Sequence, residues 1–276
     1  MPMVISDERR FAFVHIPKTG GTTIGRQLVE RIPFDPAFAG GVTDCPRFGR
    51  CYLQHLALWQ IRDMAPKVLE KILVYDSMAI VRDPLDRFRS AVSQFTRNTQ
   101  SRELSTLTRS ELNETVDFIL RGLHGPELGT MPFTFFRRQC DQIFLDGQRY
   151  VSRLFDYRDL KGARVHIERV LGITIDLEKT YRRTRNFRPG YRQLRKGVAP
   201  AVKALLPARI YDRIKAGTTD MLETKSNPML EQSLDTPRTD RMLRDFYGPD
   251  FDLLKLTEGT AAERVSVSPD ATQGGQ

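Results

Sequence analysis

The run His15-Ile16-Pro17-Lys18-Thr19-Gly20-Gly21-Thr22-Thr23 brings a cation, two glycines and three hydroxyls into one short stretch. The chemistry those residue types allow is capture of a phosphate-like anion. The run follows an apolar strand pattern and opens a helix pattern. In that setting successive backbone N–H groups converge on one spot. The helix N-terminus behind them adds orphan donors and the positive end of the dipole. Gly20 and Gly21 are expected to let the backbone approach closely and to take positive φ. Lys18 supplies a mobile cation. Of Thr22 and Thr23, one is expected to cap the helix and the other to reach a phosphate oxygen. The order differs from GxxxxGK[ST], because Lys18 precedes the glycines. A nucleoside-triphosphate hydrolase is therefore disfavoured.

A second run, Ala79-Ile80-Val81-Arg82-Asp83-Pro84-Leu85-Asp86-Arg87-Phe88-Arg89-Ser90, also reads strand, turn, helix. Arg82 falls at the carboxyl end of its strand, where open α/β sheets bind ligands. Ser90 falls nearly two turns into the helix. A guanidinium and a hydroxyl so placed can clamp one phosphate from two sides. Arg87 is expected to join that clamp or to pair with Asp83 or Asp86. Residues 181–196 hold seven basic side chains and no acid. They read as an anion site or a solvated basic face.

The elements that must position these residues alternate between strand and helix. Phe11–Ile16, Ser77–Val81 and Tyr150–Phe155 read as buried strands. Helix patterns follow the first glycine turn through Ile32, and recur over 53–64, from Asp83-Pro84 onward, over 112–123 and over 159–171. Asp83 is a capping residue with Pro84 at the first helical position, and Gly172 is a stop. Further helices are expected over 199–216 and 237–247. Residues 33–50 read as a long Pro/Gly loop, 98–109 are polar and ambiguous, and 125–147 are loop-rich around Phe133, Phe135 and Phe136. This order predicts an α/β fold in one domain, residues 1–257, with a central, mainly parallel sheet flanked by helices. Residues 258–276 are small and polar and read as a disordered tail.

The 276 residues are 40% hydrophobic and 28% charged, which excludes a wholly disordered chain and a disulfide miniprotein. Three cysteines (Cys45, Cys51, Cys140) without a CxxC pair, and four scattered histidines, predict no disulfide framework and no metal site. No apolar run approaches a membrane span, and the polar Met1–Arg10 segment lacks the apolar core of a signal peptide. A cytoplasmic protein is the expectation. The net charge of +9 favours anionic partners.

Together the two motifs resemble the 5′-phosphosulfate loop and the 3′-phosphate motif of sulfotransferases that use 3′-phosphoadenosine 5′-phosphosulfate (PAPS). HIPKTGGTT and RDPLDRFRSAVSQF are most similar to the branch holding the heparan sulfate 2-O- and 6-O-sulfotransferases and their bacterial relatives. The run Met242–Phe251 resembles that branch's closing Y-x-x-D-F segment. The resemblance implies a P-loop-like domain that needs no metal. It implies that Lys18, Thr19, Gly21, Thr22 and Thr23, with Gly20 among them, hold the 5′-phosphosulfate, and that Arg82 and Ser90 hold the 3′-phosphate. The product nucleotide would be adenosine 3′,5′-bisphosphate (PAP). The basic stretch 181–196 would close over the donor. The acceptor would be a hydroxyl, on a glycan or glycoconjugate in the relatives. Loops 33–50 and 98–147 would select it.

The acceptor hydroxyl needs a base, and His55, in Cys51-Tyr-Leu-Gln-His-Leu, is the expected one. Asp44, Glu30 and Asp76 remain open alternatives, while His15 reads as structural. Two other functions stay open. A P-loop-like nucleotide kinase would need a Mg²⁺-binding acid, which Asp76 could imitate. A basic nucleic-acid-binding protein is compatible with the charge but lacks a recognisable motif, so no nucleic-acid partner is expected.

Overall fold

The computed structural model describes residues 3–38, 40–45, 47–131, 133–177, 186–187, 223–224 and 228–257. The expected helix at 199–216, the tail 258–276 and the basic stretch 181–196 (Asn186–Phe187 excepted) lie outside the described residues. The fold is α/β with a mixed sheet. Four strands lie in the order β1 (Val4–Ser6), β2 (Phe11–Val14), β5 (Asp76–Val81), β8 (Arg153–Asp156). β2, β5 and β8 run parallel, with Val14 opposite Ala79 and Val81 opposite Asp156. β1 is antiparallel to β2. It was not expected, since its three residues are too few for periodicity and charged Asp7–Arg10 follow them. Val4 and Ile5 are nonetheless buried.

Strand alternation divides the core into two layers. Phe11, Phe13, Met78 and Ile80 face Ile24 and Leu28 of α1 (Gly21–Val29) and Leu160, Ala163 and Ile167 of α6 (Leu160–Leu171). Ala12, Val14, Ala79 and Val81 face Leu58 and Ile61 of α2 (Leu58–Met64) and Leu69 and Ile72 of α3 (Pro66–Val74). The helix expected over 53–64 is broken: a 3-10 turn, Leu53–His55, precedes α2. Pro66 then starts α3, which the apolar pattern had not separated. The expected long loop 33–50 holds a 3-10 turn, Pro36–Phe38, and a hairpin of β3 (Val42–Cys45) with β4 (Gly49–Tyr52). A second hairpin joins β6 (Phe144–Leu145) to β7 (Gln148–Arg149). Asp146 and Gly147 both take positive φ in its turn. Asn186–Phe187 (β9) pairs antiparallel with Glu223–Thr224 (β10).

A third, helical layer holds α4 (Pro84–Thr99), α5 (Arg109–Gly122), α7 (Pro228–Leu234) and α8 (Pro237–Leu253) around the ring cluster Phe88, Phe95, Phe133, Phe136 and Tyr247. The expected caps are present: Asp83 accepts from the N–H groups of Leu85 and Asp86, and Gly172 ends α6 at φ 69°. No described helix is long and apolar enough to cross a membrane.

Arg87 corrects its expected place in a phosphate clamp. It is 0% exposed and lies 3.8 Å from the carboxylate of Asp250, also 0% exposed. Its other contacts are the carbonyls of Phe135 and Arg137 and the face of Tyr247. Asp250 in turn accepts from the N–H groups of Gln139 and Cys140, at 2.8 and 2.9 Å. Breaking one side of a buried pair strands the other charge. Asp250→Ala should cost about 3–5 kcal/mol in denaturant unfolding. A loss below 1 kcal/mol would show that the pair is not the anchor of this layer.

Candidate active site

The first motif leaves the carboxyl end of β2 and enters α1. Lys18 (φ 69°) and Gly20 (φ 78°) both sit in the left-handed region. For a lysine that geometry costs on the order of 1–2 kcal/mol, the kind of strain that collects at working sites. Gly21, by contrast, is the first helical residue and does not take the expected positive φ. Its missing side chain serves space: a Cβ there would lie 2.7 Å from His15 Cδ2 and 3.0 Å from Phe13 Cζ. Gly21→Ala should therefore destabilise by about 1–3 kcal/mol in thermal unfolding, against the usual gain of alanine in a helix. A stabilised variant would show that the His15 ring can move aside.

Neither threonine caps α1, contrary to expectation. The cap is Gly20, without a side-chain bond, and the first turn carries no acid. No carboxylate of the helix's own first turn therefore competes for the N-terminal donors of α1. Thr22 and Thr23 lie half-buried on that first turn. The Thr19 hydroxyl donates to the carbonyl of Ile16 at 2.9 Å and braces the loop.

Three cations meet at this loop. Lys18 Nζ donates to Gln94 Oε1 at 3.3 Å, and Arg97 Nη2 donates to the same oxygen at 3.3 Å. Burial first, then the charges of Arg97 and Arg82, pull the Lys18 ammonium down to about 8. Arg82 sits just past the carboxyl end of β5. Its Nη1 donates to the Lys18 carbonyl at 3.4 Å, and its guanidinium lies over the Tyr157 ring, 4.7 Å from the centroid. The buried Arg82 Nε has no hydrogen-bond partner among the described residues. Ser90 is half-buried, one turn before Gln94 on α4, so both belong to the helix face that meets the loop.

His55 is only 7% exposed. Its Nδ1 lies 3.2 Å from the carbonyl of His15, three residues before Lys18. A carbonyl can only accept, so Nδ1 carries the proton and Nε2 keeps its lone pair. His15, Tyr52 and Phe135 pack around the ring, with centroids 4.9, 6.1 and 5.9 Å away. Burial, then the neighbouring His15, hold the imidazole well below its usual range despite the bond to the carbonyl. The ring is thus neutral at pH 7.

The three carboxylates weighed against His55 lie elsewhere. Asp44 is 85% exposed on β3, beside Arg50. Glu30 caps the far end of α1. Asp76 begins β5, at the opposite end of the strand from Arg82, and accepts from or donates to nothing at the loop: its Oδ1 lies 2.9 Å from His166 Nε2. The structure therefore gathers Lys18, Thr19, Gly20, Gly21, Thr22, Thr23, Arg82 and His55 around one loop, with Ser90 on the helix beside it. Sequence reasoning missed Gln94, Arg97, Tyr157, Arg137 and Gln139. Of these, Tyr157 had a signal, since it follows the carboxyl end of β8 as Arg82 follows that of β5. Comparison with protein-family models, with curated proteins and with solved structures returned no match.

Proposed function

We propose that the chain is a sulfotransferase that moves a sulfuryl group from PAPS to an acceptor hydroxyl on a carbohydrate or glycoconjugate, on a P-loop-like domain. The observation that carries this reading is the convergence of an uncapped helix N-terminus, a strained lysine and an under-bonded arginine at one loop, with a neutral histidine docked on the same loop.

The residues present fit a nucleotide carrying phosphates at two positions. The N-terminal donors of α1, the Thr22 and Thr23 hydroxyls and Lys18 suit a 5′-phosphosulfate. Arg82, whose buried Nε has no partner among the described residues, suits the 3′-phosphate together with Ser90. When bound, PAPS supplies an activated sulfuryl group with a nucleotide phosphate as leaving group. Lys18 would hold its positive charge where negative charge grows on that leaving group. His55 Nε2 would take the proton from the acceptor hydroxyl, while its Nδ1–H remains on the His15 carbonyl and fixes the ring. Catalysis by this set is positioning plus electrostatics.

A nucleotide kinase is less well supported, because Asp76 is bound to His166 at the other end of β5. Thermal unfolding with PAP, ATP–Mg²⁺ and an oligonucleotide in parallel tests the proposal. PAP should give the largest rise in Tm. A larger rise with ATP–Mg²⁺ or with the oligonucleotide would favour a kinase or a nucleic-acid-binding protein instead.

A further inference from the structure

Residues 137–142 join the aromatic turn Phe133–Phe136 to β6, and their side chains reach both halves of the site. Arg137 is 3% exposed, and both terminal nitrogens of its guanidinium donate to carbonyls. Nη1 donates to the carbonyl of His55 at 2.9 Å and Nη2 to that of Gly129 at 2.8 Å. It thereby ties the 3-10 turn that bears His55 to the 128–129 loop, with Trp59 across its face at 5.7 Å. Gln142 Nε2 donates to the carbonyls of His15 and Leu56, at 3.4 and 3.3 Å, gripping backbone on both sides of the imidazole.

Two residues on from Arg137, the buried Gln139 grips the other half. Its Oε1 accepts from the Arg82 N–H at 3.0 Å, and its Nε2 donates to the Arg82 carbonyl at 2.8 Å. That reciprocal pair copies a strand ladder at the point where β5 has ended. The stretch is itself held from behind, since Asp250 accepts from the N–H groups of Gln139 and Cys140 and Arg87 donates to the carbonyls of Phe135 and Arg137. The turn bearing His55 and the strand end bearing Arg82 are far apart in sequence, and this one short segment is hydrogen-bonded to both.

We propose that residues 137–142 are a two-sided positioning brace, in which Arg137 fixes the His55 turn and Gln139 fixes Arg82, so that the base and the anion clamp keep one register. The proposal rests on the sulfuryl-transfer reading of the site. Neither side chain touches reacting atoms in this account; both act through the backbone of a residue that does. The rings of His15, Tyr52 and Phe135 pack on the His55 imidazole, and two cationic groups, the N-terminal amino group and then the Arg137 guanidinium, disfavour its protonation. Removal of the guanidinium should therefore make imidazolium less unfavourable.

The test pairs an NMR titration of the histidine imidazoles with calorimetric titration of PAP, on the full chain. Arg137→Met should raise the His55 midpoint, while Arg137→Lys, which keeps the charge, should stay near wild type. PAP affinity should be unaltered in both. Gln139→Leu should do the reverse, leaving the His55 midpoint in place and weakening PAP roughly tenfold, because a displaced clamp binds poorly. An unshifted His55 in Arg137→Met, or full PAP affinity in Gln139→Leu, overturns the brace. If Arg137→Met does not fold, Arg137→Gln retains a donor for the carbonyl and carries the same charge test. If the wild-type protein binds no PAP, the sulfuryl-transfer reading falls. The brace falls with it, whereas an unshifted His55 in Arg137→Met or full PAP affinity in Gln139→Leu, in a protein that binds PAP, overturns the brace alone.

Discussion

Replacing His55 by alanine is expected to lower turnover by roughly 10²–10⁴, the usual contribution of a positioned base. Donor affinity should stay nearly unchanged, because the imidazole is assigned to the acceptor side. The rate–pH profile gives a second, sharper readout. A buried imidazole held well below its usual range is neutral, and therefore competent, throughout the neutral region. The wild-type acidic limb should accordingly fall well below pH 6.5, the ordinary imidazole value. In His55→Ala that limb should disappear. A purely structural His55 would leave a different trace: a stability loss from the lost contact with the His15 carbonyl, a modest rate change and an intact limb. Near-wild-type turnover with the limb retained would move the proton acceptor to a carboxylate. Asp44, exposed on the β3–β4 hairpin beside Arg50, would then be the next residue to test.

Lys18→Ala should cost roughly 10²-fold or more in turnover, with weaker donor binding as well, because one ammonium serves both the ground state and the developing charge. Lys18→Gly separates this loss from the fold. Residue 18 sits at φ 69°, which glycine adopts without the Cβ penalty. The glycine variant should therefore be more stable than the alanine variant by about 1 kcal/mol and equally impaired in rate. The ammonium also predicts a pH dependence. With its value drawn down to about 8, Lys18 is a cation below that pH and loses its charge above it. PAP affinity should fall as pH rises through about 8, and Lys18→Arg should hold it level, since a guanidinium stays charged. Level affinity in the wild type would assign the anion contact to Arg82 and Arg97 instead.

The legible parts of the fold were those whose signal is local. β2 and β5 read as apolar runs because both faces of the sheet are covered. Asp83 and Gly172 announced the ends of α4 and α6 through capping chemistry. β1 was too short to show a period. The β3–β4 hairpin was hidden because Val42 and Asp44 face solvent where an apolar alternation would be expected. The loop residues Lys18 and Gly20, and Arg82 at its strand end, were legible for the same local reasons. Arg87 was misread because its partner, Asp250, lies far along the chain. Arg137 and Gln139 were invisible for that reason too: their roles exist only through contacts with residues 55 and 82. Gly21 was picked out correctly for a wrong cause, since the local rule supplies positive φ and the fold demanded room for the His15 ring.

A PAPS site must read two phosphates of one nucleotide. Calorimetric titration of the wild-type protein with PAP and, separately, with AMP measures that directly. The two ligands differ only in the 3′-phosphate, which Arg82 and Ser90 are assigned to hold. A charge-assisted contact of this kind contributes about 1.5–3 kcal/mol, so PAP should bind roughly tenfold to a hundredfold more tightly than AMP. Equal affinity for the two nucleotides would contradict the assignment of Arg82 and, with it, the sulfotransferase reading.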